Sequence, residues 1–147
     1  MIYLLFDVPQ GSLQYPNENQ MDNKPKKIMV VDDEDDLIFL LQILLEQKGF
    51  KVNAFTDPLL ALQSFKAGIY DLAILDIKLP SLNGFDLYER IKMIDDFVKV
   101  CFFTTSDHED FKTQKYSRLR KKDIIIRKPI SNEELLKKVD EAINTIQ

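Results

Sequence analysis

Short apolar runs alternate with longer amphipathic segments along most of this chain. Five of the runs are four to six residues long and are bounded by polar residues, proline or glycine, which is typical of strands buried in a sheet. We predict strands at residues 27–31, 51–55, 72–75, 98–103 and 123–127. The second run alternates apolar with polar residues, so we expect that strand to be more exposed than the others.

Apolar residues in the intervening segments recur at the spacing of amphipathic helices. We predict helices over residues 37–45, 58–67, 85–93 and 107–122, and from residue 132 onwards. The pair Asp57-Pro58 is a typical N-cap followed by a first helical residue. Ser131 and Glu134 have the spacing of a capping box, which marks the start of the last helix.

This alternation of strands and helices predicts the fold class. Strand–helix units at short spacing favour an α/β fold, a doubly wound five-stranded parallel sheet flanked by helices on both faces. A length of 147 residues fits one domain. Residues 1–25 show no sustained periodicity, so we expect a poorly ordered N-terminal leader followed by a folded domain over residues 26–147.

Composition and charge exclude several classes of protein. A net charge of −4 argues against a general nucleic-acid binder. The single cysteine, Cys101, cannot form an internal disulfide, and no apolar run approaches the roughly 20 residues needed to span a bilayer. The apolar start of the chain lacks a basic residue and is too short for a secretory signal. We therefore expect a cytoplasmic protein with no membrane partner.

Polar side chains follow four of the predicted strands. They are Asp32, Asp33, Asp76, Thr104 and Lys128. Because the carboxyl ends of parallel strands lie at one edge of a sheet, we expect these side chains to meet in one crevice. Neighbouring carboxylates raise each other's pKa unless a cation is present, and Mg²⁺ is a hard cation that prefers oxygen ligands. A lysine and a threonine suit a tetrahedral anion instead, so the set favours phosphoryl transfer onto a carboxylate.

The chain from about Lys26 to Gln147 resembles the receiver domain of two-component response regulators. The motifs that carry the resemblance are Asp32-Asp33, Asp76 within Leu-Asp-Ile-Lys-Leu-Pro and before Asn-Gly, Thr104, and Lys128-Pro129. The resemblance implies the flavodoxin-like strand order 2-1-3-4-5. Since it extends to Gln147, it also predicts a stand-alone receiver without an attached output domain.

The resemblance further implies a role for each site residue. Asp76 would accept a phosphoryl group from a phosphohistidine in a Mg²⁺-dependent reaction. Asp33, Asp76 and the Lys78 backbone carbonyl would bind Mg²⁺, with Asp32 contributing through water. The remaining two residues of the set would bind the phosphoryl oxygens, Lys128 by charge and Thr104 by a hydrogen bond formed after it moves.

A protein of this kind is a signalling switch rather than an enzyme, because it catalyses only its own phosphorylation and dephosphorylation. The implied partners are a sensor histidine kinase or a phosphotransfer protein and an unidentified downstream protein target. Nucleic acid is not expected as a partner. A basic run between Lys112 and Lys122 fits a solvated helix face best. A docking face for an acidic protein is the first alternative and nucleic-acid binding the second.

Some positions differ from the family pattern, and two others lie where the family controls the rate of phosphoryl hydrolysis. Ile125 stands three residues before the lysine, where receivers commonly carry an aromatic residue, and Lys121-Lys122 replaces a Gly-Ala pair. We therefore do not expect the usual threonine–aromatic coupling to operate unchanged. Lys78 and Ser106 occupy the two positions that tune phosphoryl hydrolysis in the family. Lys78 offers no acceptor for an attacking water, so we expect slower than average loss of the phosphoryl group.

Three other readings compete with a phosphorylated switch. One is a receiver-like interaction module that no longer uses phosphorylation. Another is a Mg²⁺-dependent phosphohydrolase, which usually needs a second carboxylate two positions after the nucleophile, where this chain has Lys78. The last is a flavin-binding protein, which the acidic residues after the first strand disfavour because they would repel a phosphate.

Overall fold

All five apolar runs form strands, and amphipathic segments between them form helices. The computed structural model describes residues 24–105, 119 and 123–144. The strands are β1 (Lys27–Val31), β2 (Lys51–Phe55), β3 (Leu72–Leu75), β4 (Lys99–Thr104) and β5 (Ile124–Arg127). The helices are α1 (Asp35–Gln47), α2 (Pro58–Ser64), α3 (Gly84–Ile94) and α4 (Asn132–Asn144). The helix predicted over residues 107–122 and most of the predicted leader lie outside the described residues.

The first three strands begin and end where the sequence predicts, and β4 and β5 differ by one residue at their ends. The prediction for α2 was wrong at its C-terminus, since this helix ends at Ser64 rather than at Ala67. Phe65 leaves the helix with extended backbone angles, φ −71° and ψ 132°. Its buried ring stacks on Tyr70 with 5.6 Å between centroids, so tertiary packing ends the helix early.

The sheet has the strand order β2-β1-β3-β4-β5, and all its pairs are parallel. This confirms the predicted fold class and order. Because β2 lies at an edge, it is covered less than the central strands, and Val52 is its one buried residue. The four residues of β3, in the middle of the sheet, are all buried.

Alternate residues of the central strands point to opposite faces and build two apolar layers. Met29, Val31, Leu75 and Phe102 belong to the layer that includes residues of α2 and α3. The other layer joins residues of β1, β3, β4 and β5 to residues of α1 and α4. Each fully buried aliphatic or aromatic side chain contributes about 1.5–3 kcal/mol to folding. The helices therefore cover both faces of the sheet, as predicted.

Cys101 lies in the second layer and behaves as a small apolar residue. Its thiol is fully buried, and burial raises its pKa to about 12. No helix in the described part of the chain is both long and apolar enough to cross a bilayer.

Strand register sets the geometry at the carboxyl edge, the edge of the sheet where the C-terminal ends of the parallel strands lie. Val31 of β1 pairs with Leu75 of β3, so Asp32 and Asp76 leave the sheet at the same level. The Asp76 amide extends this ladder by donating to the Val31 carbonyl at 2.9 Å. In the same way the Lys128 amide donates to the Thr104 carbonyl at 3.0 Å. Main-chain pairing thus places the strand ends that carry the polar side chains at this edge.

Candidate phosphoacceptor site

Asp76 occupies the centre of the carboxyl edge and is 7% exposed. Its Oδ1 accepts a hydrogen bond from the Ile77 amide at 2.8 Å, and the Thr104 side chain also hydrogen-bonds its carboxylate. Burial raises the pKa of Asp76, and the negative charge of Asp32 raises it further. Lys128, the Ile77 amide and Thr104 lower it by less. The carboxylate is therefore held in place, but its negative charge is only partly compensated by these contacts.

The loop from Asp76 to α3 folds back tightly on itself. The Gly84 amide donates to the Ile77 carbonyl at 2.8 Å. A Cβ at Gly84 would lie 2.0 Å from the Asp76 carbonyl oxygen, so only glycine fits there without displacing the backbone. Asn83 caps α3 by accepting from the amides of Phe85 and Asp86, both at 3.0 Å. In the Asn-Gly pair, Asn83 therefore caps α3, and Gly84 lets the start of the helix lie close to the Asp76 backbone.

Lys128 brings a positive charge to this group of acids. Its Nζ lies 2.6 Å from Asp32 Oδ2, 3.6 Å from Glu34 Oε1 and 3.7 Å from Asp76 Oδ2. Burial lowers the pKa of Lys128, but its hydrogen bond to Asp32 and the charges of the three acids outweigh burial and leave the pKa raised. The ammonium is therefore charged at neutral pH.

Three carboxylates are close enough to share a cation. Oxygen atoms of Asp32, Asp33 and Asp76 lie within 4.8 Å of one another. Asp32 and Asp76 are buried, whereas Asp33 is exposed. The donor set fits Mg²⁺, because it consists of hard oxygen ligands with an open, solvent-facing side for water. Burial is the main cause of the raised pKa of Asp76, and the neighbouring negative charge of Asp32, which a bound cation would offset, raises it further.

The structure brings together the five side chains that the sequence singled out at the strand ends. Lys78 lies in the bend two residues after Asp76 and is exposed. Ser106 and the basic run from Lys112 to Lys122 lie outside the described residues, apart from Leu119 within that run. Ile125 is partly buried and packs on the layer that contains Phe102.

Sequence reasoning missed two residues of this edge. The sequence presents Gly84 only as part of the Asn-Gly motif, although its lack of a Cβ is what lets the loop close on Asp76. Glu34 is not among the predicted site residues, yet its carboxylate lies 3.6 Å from Lys128 Nζ. The signal available for Glu34 was its position directly after two aspartates at a strand end.

The family model for the response regulator receiver domain matches residues 28–140 of this chain. The alkaline phosphatase synthesis transcriptional regulatory protein PhoP of Bacillus subtilis is 34% identical over 84 residues, which are 57% of this chain and 35% of PhoP. The autoinducer 2 sensor kinase/phosphatase LuxQ of Vibrio cholerae is 26% identical over 134 residues, 91% of this chain and 16% of LuxQ. This chain thus matches only a minor part of either relative.

Among solved structures, the non-phosphorylated HemR receiver domain from Leptospira biflexa superposes with a TM-score of 0.71 at 27% identity, covering 84% of this chain and 98% of that one. Receiver domains are signalling domains rather than typical enzymes, and they interact with histidine kinases and downstream effectors. On the match to the family model, the fold and the relatives, this chain belongs to the response regulator receiver domain family.

Proposed function

We propose that this receiver accepts a phosphoryl group on Asp76 in a Mg²⁺-dependent reaction and so switches its affinity for a protein partner. The observation that carries the proposal is the surroundings of Asp76. Its carboxylate is buried and its pKa is raised. The Lys128 ammonium lies 3.7 Å from this carboxylate, and the Thr104 side chain hydrogen-bonds it. Nucleophile, charge partner and hydroxyl donor are the parts that phosphoryl transfer to a carboxylate needs.

The two oxygens of Asp76 have different roles in this proposal. Oδ1 is held by the Ile77 amide, whereas Oδ2 faces Lys128 and is the attacking atom. A P–O bond forms to Oδ2 while the bond from phosphorus to the donor breaks, and the leaving group keeps the electron pair. Lys128 neutralises charge on the phosphoryl oxygens, and the Thr104 hydroxyl turns from the carboxylate to the new group.

The residues that would hold the metal are Asp33, Asp76 and the Lys78 backbone carbonyl, with Asp32 acting through water. Mg²⁺, when bound, supplies positive charge to the transferring group and orients its oxygens. Asp32 also fixes Lys128 through their 2.6 Å ion pair, which keeps the ammonium beside the acceptor.

The change in partner affinity would follow from the negative charge that phosphorylation adds to the site. An aspartyl phosphate adds negative charge where Lys128 already balances three acids, so the lysine and Thr104 rearrange. Because Ile125 stands where receivers commonly carry an aromatic residue, the usual threonine–aromatic coupling would not operate unchanged. The donor would be a histidine kinase or phosphotransfer protein, and a downstream protein target would bind the phosphorylated form. A cytoplasmic location stays a prediction.

The test is the mass of the intact protein after incubation with acetyl phosphate or phosphoramidate, with and without Mg²⁺. We expect a Mg²⁺-dependent gain of one phosphoryl group, about 80 Da, that Asp76→Asn abolishes. Asp57→Asn is the matched control, because it removes one half-buried carboxylate at the N-cap of α2, where asparagine caps equally well. Absence of any adduct in the wild-type protein would favour a module that works without phosphorylation.

A further inference from the structure

Glu34 occupies the N-cap position of α1 but does not cap it. Its backbone is extended, with φ −87° and ψ 107°, and its side chain makes no hydrogen bond to the first helical turn. Its amide donates to Asp32 Oδ1 at 3.0 Å, so the main chain of Glu34 is tied to the acidic pair. Helix capping therefore does not explain a glutamate here, since serine, threonine or aspartate would cap better.

The Glu34 side chain instead reaches into the phosphoacceptor site from the solvent side. Its Oε1 lies 3.6 Å from Lys128 Nζ, about as near as Asp76 Oδ2 at 3.7 Å. The side chain of Glu34 is 65% exposed, whereas that of Asp76 is 9% exposed. A small phosphodonor coming from solvent to Asp76 therefore passes close to the Glu34 carboxylate.

We infer that Glu34 is a specificity-determining residue that makes the site discriminate against small, highly charged phosphodonors. This inference rests on the proposed function. Glu34 places a fourth negative charge beside Asp32, Asp33 and Asp76, and it shares the Lys128 ammonium that the incoming phosphoryl oxygens need. Both effects slow transfer from an anionic donor, and both act before the chemical step is complete.

The discrimination scales with donor charge because Coulomb repulsion is proportional to that charge. Acetyl phosphate is a dianion at neutral pH, whereas phosphoramidate carries one negative charge less. A phosphohistidine on a protein has an additional means of overcoming the repulsion, since complementary charges on its own surface steer the encounter. Glu34 would thus favour transfer from a protein donor over transfer from small molecules.

The experiment compares phosphorylation rates of wild type, Glu34→Gln and Asp36→Asn with each small donor at low and high ionic strength, at Mg²⁺ concentrations that saturate each variant. Asp36→Asn is the matched control because Asp36 is an exposed carboxylate in the first turn of α1. For Glu34→Gln we expect a rise of about threefold or more with acetyl phosphate and less than twofold with phosphoramidate, both shrinking in high salt.

The outcomes separate this inference from the proposed function. If the wild-type protein takes up no phosphoryl group from either donor, the proposed function fails. If it is phosphorylated but Glu34→Gln changes both donors equally, or no more than Asp36→Asn does, the specificity role of Glu34 is wrong. Glu34→Ala should repeat the glutamine result, and both variants should keep the wild-type melting temperature, because the largely exposed Glu34 side chain contributes little to stability.

Discussion

At the scale of single residues, Asp76 is a carboxylate that the protein stabilises poorly when no cation is bound. Burial and the neighbouring Asp32 raise its pKa, and the contacts with Lys128, Thr104 and the Ile77 amide do not fully offset them. A group with a raised folded-state pKa contributes most to stability when protonated, and that contribution is lost as the pH rises through this pKa. The ionised carboxylate thus lowers the free energy of unfolding at neutral pH.

Asp76→Asn should therefore stabilise the metal-free protein at pH 7. We expect the free energy of unfolding and the melting temperature to rise, because the amide removes a charge that is buried beside Asp32. The gain should shrink towards pH 4, where the wild-type carboxyl is increasingly protonated. Thermal unfolding over this pH range is the measurement, with Asp57→Asn at the N-cap of α2 as the control. A gain that does not depend on pH would contradict the explanation.

We predict that Lys78 affects a different property, the lifetime of the phosphorylated state. Its exposed side chain follows Asp76 by two residues and presents a cation where an acceptor could orient an attacking water. We expect Lys78→Asn to speed loss of the phosphoryl group by about threefold or more. Decay of the phosphorylated mass after removal of the donor measures this. Lys66→Asn removes an exposed cation beyond the end of α2 and should decay like wild type.

At the scale of elements, the site depends on how closely α3 approaches the end of β3. Gly84 is the first residue of α3, and its missing Cβ leaves room for the Asp76 carbonyl. The Gly84 amide meets the Ile77 carbonyl at 2.8 Å, which closes the loop carrying the proposed metal-binding carbonyl of Lys78. A shift of this helix would therefore move the acceptor itself.

Gly84→Ala should destabilise the fold by about 3 kcal/mol or more, because the new methyl would meet backbone atoms that cannot rotate away. Phosphorylation of any remaining folded protein should also slow. Gly68→Ala is the comparison, since Gly68 has a positive φ of 77° but open space around it, and its cost should be about 1 kcal/mol. Urea unfolding of both variants decides the matter, and equal losses would rule out the steric argument.

At the scale of the whole molecule, stability and metal binding are linked. Residues from the ends of β1 and β3 come together only in the folded sheet, so a cation bound there stabilises the native state. At a hundredfold excess over its dissociation constant, Mg²⁺ should add about 2.7 kcal/mol, which corresponds to roughly 10 °C in melting temperature.

Melting curves over a Mg²⁺ series at constant ionic strength measure this linkage. Asp33→Asn is an informative variant, because Asp33 is exposed and its loss should weaken the Mg²⁺ effect without unfolding the protein. An equal rise in Asp33→Asn, or an equal rise produced by sodium chloride alone, would show that the effect is not specific binding at this site.

The sequence alone determined the order and type of the described elements. Strand positions in β1, β2 and β3 followed from runs of apolar residues, which depend only on neighbours along the chain. The sheet edge where polar residues gather also followed, because every parallel strand ends on the same side. What local pattern could not supply was the end of α2, where the stacking of Phe65 on Tyr70 overrides helical periodicity.

Only the tertiary structure decided how the charges at that edge pair. Lys128 lies 96 positions from Asp32 along the chain, yet it contacts this aspartate at 2.6 Å and Asp76 at 3.7 Å. Those distances arise from the register of β1 with β3 and of β4 with β5, and with burial they determine the raised pKa of Asp76. Glu34 entered the site for the same reason: contacts between distant residues are set by packing of the sheet, which no local pattern encodes.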